Sequence, residues 1–322
     1  MLLPSVSFVI PAHQAASTLP RCLAAVLSTG VTADQVLVVD DGSTDETGAL
    51  ASQAGVNIVR NPTALRPARA RNEGVKHTEA DVVFFVDADV VVKPDVLDKM
   101  AAHFSDPSVT AVIGSYDDAP PDVSIVSRYR NLLHFFVHQK ADRNAETFWT
   151  GIGAVRKEAF LEAGGFDSDW ENIEDVEFGL RLKAKGGHIL LDPTIQGTHL
   201  KEWTMHSMFR TDLWGRAVPW TQLIRAGRMP ANQLNTSVAH KISAISVAVF
   251  AVSILAAVIW PSALIVAGAS IVSFLAVNRR FLSELHRIGG ARLAFGAIPY
   301  HAAHYVAALC GYAYARFFPN RG

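Results

Sequence analysis

The stretch "VVFFVDADV" (82–90) runs five apolar, strand-favouring side chains into Asp87-Ala88-Asp89. A continuous apolar run of this kind reads as a strand covered on both faces, with a polar carboxyl end. Similar runs lie at "VSFVI" (6–10), "QVLVV" (35–39), "NIV" (57–59) and "VTAVIG" (109–114), separated by helical patterns at 17–28, 45–54, 67–77 and 94–104. Ser17 and Asp45 suit N-caps, and Pro67 and Pro94 suit a first helical turn. Alternation of this kind predicts an α/β unit with a Rossmann-like, mostly parallel sheet covered by helices on both faces. Ligands of such sheets sit at the carboxyl ends of the strands. Those ends carry Pro11-Ala12-His13, Asp40-Asp41-Gly42-Ser43 and Asp87-Ala88-Asp89, so three polar strand ends converge on one edge.

Each polar element has a chemical reading beside a plainer one. Asp87 and Asp89, costly at the end of a buried strand unless neutralised, would suit a hard divalent cation, or else form a turn facing water. "ARARNEG" (68–74) puts Arg69 and Arg71, with Arg66 before them, at a helix start where backbone N–H groups favour anions, so a diphosphate or mere surface charge fits. In "WENIEDVEFGLRLKAKGG" (170–187) a helix over 174–185 places Glu174 and Asp175 at its N-terminus, as a general base or as ordinary capping. His199, after another short apolar run, could complete a metal shell begun by Asp89 or be structural.

Other signals exclude classes of function. "GIGAVR" (151–156) has Arg156 where a dinucleotide fingerprint needs its third glycine, and no GxxxxGK[ST] occurs. His301 and His304 stand in an apolar segment without carboxylates or cysteines beside them, which reads as interfacial and not zinc-binding. Cys22 and Cys310 are lone thiols and fit a reducing compartment.

The 322 residues sum to a charge of -1, which argues against a nucleic-acid partner. The balance is uneven. From Trp203 onward there are eleven Lys/Arg against two acids, Asp212 and Glu284, so the first 202 residues carry the acidic excess. Residues 242–278 contain no charged side chain and are interrupted by Trp260-Pro261-Ser262. A spanning helix needs about 20 apolar residues, about 17 at the short end, so this run predicts two short spans, 242–260 and 261–278. Basic residues flank both ends of the hairpin, which places them in the cytoplasm. Residues 293–318 form a third candidate span. The opening Met1-Leu2-Leu3-Pro4 lacks a basic signal-peptide region, so the first 200 residues are expected in the cytosol.

Taken in order, "VIPAHQAASTL", "VVDDGSTDET", "PARARNEGV", "FFVDADV", "GIGAVRKEAFLEAGGFDSDWENIEDVEFGLRL" and "GTH" resemble the family 2 inverting glycosyltransferases with a GT-A fold, over residues 4–225. The resemblance implies a nucleotide-diphosphate sugar donor, expected to be a UDP-sugar, a Mn²⁺ or Mg²⁺ ion, and single-displacement transfer. It implies Pro11, Ala12 and Asp40 as nucleobase and ribose contacts, with Asp41 beside them. His13-Gln14 departs from the family's usual residues there, though His13 remains in the expected binding set. Asp87 would face the ribose or sugar and assist the metal, Asp89 and His199 would hold the metal, and Arg71 would meet the diphosphate or sugar. Asp175 resembles the catalytic base, with Glu174 as alternative, and Gly151 to Ala154, Gly153 included, with Gly165-Phe166-Asp167 would border the donor sugar and acceptor.

The expected organisation is a catalytic domain at 1–202, amphipathic interface helices at 203–237 and a membrane region at 238–322. "RAVPW" resembles an element closing over the acceptor, with Arg216 and Trp220 near the site. The whole reads as a multi-pass enzyme of the cell membrane, its catalytic domain cytoplasmic, acting on a lipid or lipid-linked acceptor, with homo-oligomer formation left open. Two alternatives stand beside it: a non-catalytic membrane scaffold with a nucleotide-binding domain, and a phosphotransferase using Asp40, for which the D-x-D-x-T spacing is missing.

Overall fold

A computed structural model describes residues 4–170, 172–228 and 238–318. The opening tripeptide and the end of the expected interface segment, 229–237, lie outside the described residues. The chain divides into two units: Met1–Asp122 with His134–Glu202, and Val123–Leu133 with Trp203–Gly322.

The first unit holds an eight-stranded sheet. Its strands are β1 (Val6–Ala12), β2 (Val36–Asp40), β3 (Asn57–Arg60), β4 (Val82–Val86), β5 (Val90–Val92), β6 (Ala111–Tyr116), β7 (Ile152–Arg156) and β8 (Ile189–His199), in the order β3-β2-β1-β4-β7-β6-β8-β5. Alternate side chains of each apolar run go to opposite faces. Phe8, Ile10, Val36, Val38, Phe84 and Val86 pack under the helices α1 (Leu19–Leu27), α2 (Thr47–Gln53) and α4 (Val96–His103). Val9, Leu37, Val39, Val83 and Phe85 pack under α3 (Pro67–Lys76), α6 (Lys157–Glu162) and α7 (Glu174–Ala184). Both faces are dry, which is why the strands read as unbroken apolar runs.

The sheet is mixed: most of its strands run parallel, as expected, and β7 and β5 run against them. β3, β2, β1 and β4 run parallel, but β7 enters antiparallel between β4 and β6, and β5 is antiparallel to β8. "GIGAVR", set aside above for lacking a nucleotide fingerprint, is that inserted strand. Its glycines and alanine hide the strand pattern while allowing close approach. Gly153 lies opposite Phe85 and Ile113, and a Cβ there would run into the Trp149 carbonyl.

The second unit is helical. The helix α5 (Ile125–Lys140) gives it its first half, followed by α8 (Met205–Asp212), a π-helical turn at Leu213–Ala217, α9 (Val218–Arg225), α10 (Val238–Ala256), α11 (Ala263–Val277) and α12 (Arg279–Phe317). Among the described residues, α10 is long and apolar enough to cross a membrane; α11 and α12 pass the same test only together and are bent by 66°. The expected break at Trp260-Pro261 separates α10 from α11. The expected third segment is the far part of α12, which starts at Arg279 and kinks at Gly290, where φ is +69°. His301 is buried in this unit: it accepts from the Tyr129 hydroxyl at 3.0 Å and pairs with Asn278 Oδ1 at 2.8 Å.

Candidate active site

The register of β1 and β2 sets Ala12 beside Asp40, and the Asp41 N–H donates to the Ala12 carbonyl at 2.8 Å. Pro11 and Ala12 thereby border the Asp40-Asp41-Gly42 turn. Asp40 is fully buried: Oδ1 accepts from the Ser43 N–H at 2.9 Å and Oδ2 lies 3.2 Å from Arg60 Nε. Asp41 is also buried, accepting from Asn61, Leu65 and Arg66 at 2.7–2.8 Å. It ties down Arg66, whose φ of +76° is uncommon for a residue with a side chain. Gly42 has φ +69°, and a Cβ there would strike the backbone of Thr63 and Ala64. These acids hold the turn, while an open depression of about 370 Å³ beside it is lined by Gly42, Ser43, Thr44, Arg60, Asn61 and Pro62. His13 is exposed and donates from Nδ1 to the Asp41 carbonyl at 2.8 Å.

A second cluster joins α3, the end of β4 and the start of α7. Arg71, 4% exposed, bridges Asp87 Oδ1 and Glu174 Oε1, each at 2.7 Å. Both terminal nitrogens are held by acids of this chain. Glu174 is therefore an ion-pair partner. Asp175, the next residue, has no described cation paired with it: Oδ2 accepts from the Thr150 N–H and hydroxyl at 3.3 and 3.5 Å, and Oδ1 from the Val176 N–H at 2.8 Å. Burial and the adjacent Glu174 charge push the Asp175 carboxyl up to about 7, against the opposing pull of Arg71 and these N–H groups. A carboxylate held at a helix N-terminus and tuned near neutrality can accept a proton from a bound hydroxyl.

The surrounding loop is fixed by residues the sequence reading did not single out. The Asn72 amide clamps Phe166 in both directions, at 2.7 and 2.9 Å, and Arg181 joins Glu177 to the carbonyls of Ala163 and Gly165. Asn72 sits within "ARARNEG", and the Gly164-Gly165 pair, both residues at positive φ, is the local signal for the turn. Thr150 carried no signal, because its partner is 25 residues away.

The third cluster comes from strand pairing. Val90 lies opposite His199, so β5 and β8 bring Asp89 Oδ2 to 3.4 Å from His199 Nε2. Tyr116 stacks on the His199 ring at 4.2 Å and fixes its plane. Burial would raise the Asp89 carboxyl, but His199 outweighs it and holds the group below its ordinary value. Asp87 is turned to Arg71. Among the described residues no three His, Cys, Asp or Glu gather around a cation position, so the chain offers two donors. That set fits Mn²⁺ or Mg²⁺ bound mainly through substrate phosphates and water, with one or two protein side chains. Arg216, in the π-helical turn, and Trp220, in α9, belong to the second unit.

Residues 7–164 match the profile "Glycosyl transferase family 2". The pre-mycofactocin glycosyltransferase of Mycobacterium tuberculosis is 29% identical over 224 residues, covering 63% of this chain and 45% of that protein. The O-antigen chain rhamnosyltransferase RfbN of Salmonella typhimurium is 26% identical over 233 residues, covering 67% of this chain and 74% of that one. The chain thus spans about half the length of the first of these relatives. In fold, it resembles the mannosyltransferase PcManGT of Pyrobaculum calidifontis, solved with GDP-Man and Mn²⁺, with a TM-score of 0.63 at 17% identity over 98% of this chain and 89% of that one.

Proposed function

From the premise that this chain is an enzyme of glycosyltransferase family 2 type, carrying that family's domain over residues 7–164, we propose that it moves a sugar from a nucleotide-diphosphate donor to a lipid or lipid-linked acceptor at the cytoplasmic face of a membrane. The observation that carries the reading is Asp175: an acid oriented by Thr150 and Val176, without a direct cationic partner, and raised to about 7.

The acceptor hydroxyl approaches Asp175, which takes its proton as the oxygen attacks the anomeric carbon. The bond from that carbon to the diphosphate oxygen breaks, and the electron pair leaves with the nucleoside diphosphate. One attack from the face opposite the leaving group inverts the configuration. Arg71 acts behind the reacting atoms: by gripping Glu174 and Asp87 it sets the start of α7 and the end of β4, and it moderates the charge around Asp175. Asp89 and His199 would hold a divalent cation, which supplies positive charge for the departing diphosphate. The backbone of Gly42, Ser43 and Thr44, with Arg60, offers the nucleoside a polar seat at the strand ends.

A lipid acceptor is supported by α10, whose 19 residues reach spanning length and whose most apolar window is only 17% buried. Basic residues on both sides of the 242–278 run favour two crossings with both ends in the cytoplasm. Calorimetry of the full chain in detergent, with UDP- and GDP-sugars and Mn²⁺, tests the donor reading. One donor should bind in a Mn²⁺-dependent manner. Asp175→Asn should bind it equally while losing about 10²- to 10⁴-fold in turnover. A chain that binds no nucleotide sugar would sink the proposal.

A further inference from the structure

In the second unit, His206, the pair Phe209-Arg210 and the pair Leu213-Trp214 recur every three to four residues and line an open groove of about 410 Å³ along α8 and the π-helical turn. The opposite face of α8 buries Met208 and Asp212. Asp212 is the only acid between Trp203 and Arg228, and it is spent inside, 2.9 Å from Arg130 and 2.8 Å from His304. The groove face therefore carries no negative charge. Neither Arg210, which is exposed, nor His206 has an ionic partner among the described residues.

The groove is continued by an aromatic row. Trp214, 48% exposed, meets Tyr314 of α12 edge-on at 4.9 Å, and Tyr314 packs against Phe318 at 5.3 Å. The same unit exposes an apolar wall on α10 and beyond it, including Val252, Leu255, Val258 and Trp260. A guanidinium and an imidazole beside half-exposed aromatics, in a unit that also exposes an apolar wall, match the chemistry of a membrane–water boundary. The sign of the charge selects the lipid. A zwitterionic head group carries its own compensating cation and gains little from an added guanidinium, whereas an anionic one gains a charge-assisted hydrogen bond to it.

We propose that the His206–Trp214 groove seats the head group of an acidic phospholipid, with Arg210 and His206 on the phosphate and Phe209, Leu213 and Trp214 against the glycerol and first acyl carbons. The proposal rests on the membrane reading above and adds to it a lipid-selective site. Occupation would fasten α8 and the π-helical turn to the bilayer surface.

The test is retention of phosphatidylglycerol and phosphatidylcholine of identical acyl chains by the full chain in non-ionic detergent, read by native mass spectrometry. The wild type should hold phosphatidylglycerol about fivefold or more over phosphatidylcholine, and the preference should fade as salt rises. Arg210→Gln with His206→Gln should erase the preference without lowering phosphatidylcholine retention, and Trp214→Ala should weaken both lipids. Equal retention by the wild type, a preference indifferent to salt, or a preference that survives in the double variant would overturn the site. A chain that stays monodisperse without detergent and retains neither lipid would overturn the membrane reading as well, so the two failures are distinguishable.

Discussion

Two buried arginines, one in each unit, show how the same interaction can serve different ends. Arg71 is shared between Asp87 and Glu174, and Arg130 pairs with Asp212 beneath the Trp203 ring. Around Arg130 the acid is fully used: Asp212 also takes His304, and although burial would raise its carboxyl, Arg130 and His304 hold it well below the carboxylate range. Around Arg71 there is one acid too many. Asp175 stands next to the paired Glu174, without a cation of its own, and is pushed up instead of down. A buried ion pair is weak evidence for a site in itself. The acid that the pair leaves uncompensated is the stronger signal.

The comparison can be broken at its largest effect first. Removing one partner of a buried pair strands the other, at a cost of about 3–5 kcal/mol. Asp212→Asn and Arg71→Met should therefore both lower the thermal midpoint strongly. Below their melting range, Asp212→Asn should keep the Mn²⁺-dependent nucleotide affinity of the wild type and Arg71→Met should lose it. Equal affinities in the two variants would remove the distinction between a lock and a site.

The next effect is in pH. Asp175 acts as a carboxylate, so turnover should fall as pH drops through about 7, approaching tenfold per unit on the acid side. Glu174→Gln removes the neighbouring like charge, and the acid limb should move to lower pH. Stability runs the other way. The folded value lies above the ordinary 3.8, so the folded state keeps a proton that the unfolded chain releases, and Asp175 costs stability as pH rises from about 4 through about 7. Asp175→Asn should accordingly melt no lower than the wild type at pH 8. A lower melting temperature there would count against the assigned direction.

The smallest effect sharpens the geometry around the base. Thr150→Val removes one long hydroxyl contact to Asp175 and retains the backbone one. Turnover should fall about fivefold, the worth of one modest hydrogen bond, with the KM for the donor unchanged. A change confined to KM would move Thr150 from the base to the donor side.

Much of this was readable along the chain. Apolar runs at 6–10, 35–39 and 82–86 determined buried strands, because only a strand dry on both faces needs no polar alternate positions. Asp87, Asp89, Glu174, Asp175 and His199 could be picked out because charge at the end of an apolar element needs a reason. The 242–278 run announced its helices by the absence of any charge. What the sequence could not determine was pairing. That β7 inserts antiparallel between β4 and β6, that Arg71 turns inward to Glu174 across 103 positions, and that the 123–133 segment joins the second unit all depend on long-range contacts. Local composition carries no record of such contacts, since a guanidinium on a helix has the same sequence signature whether it meets a diphosphate or an acid of its own chain. Burial decides between them, and burial is a property of the assembled fold.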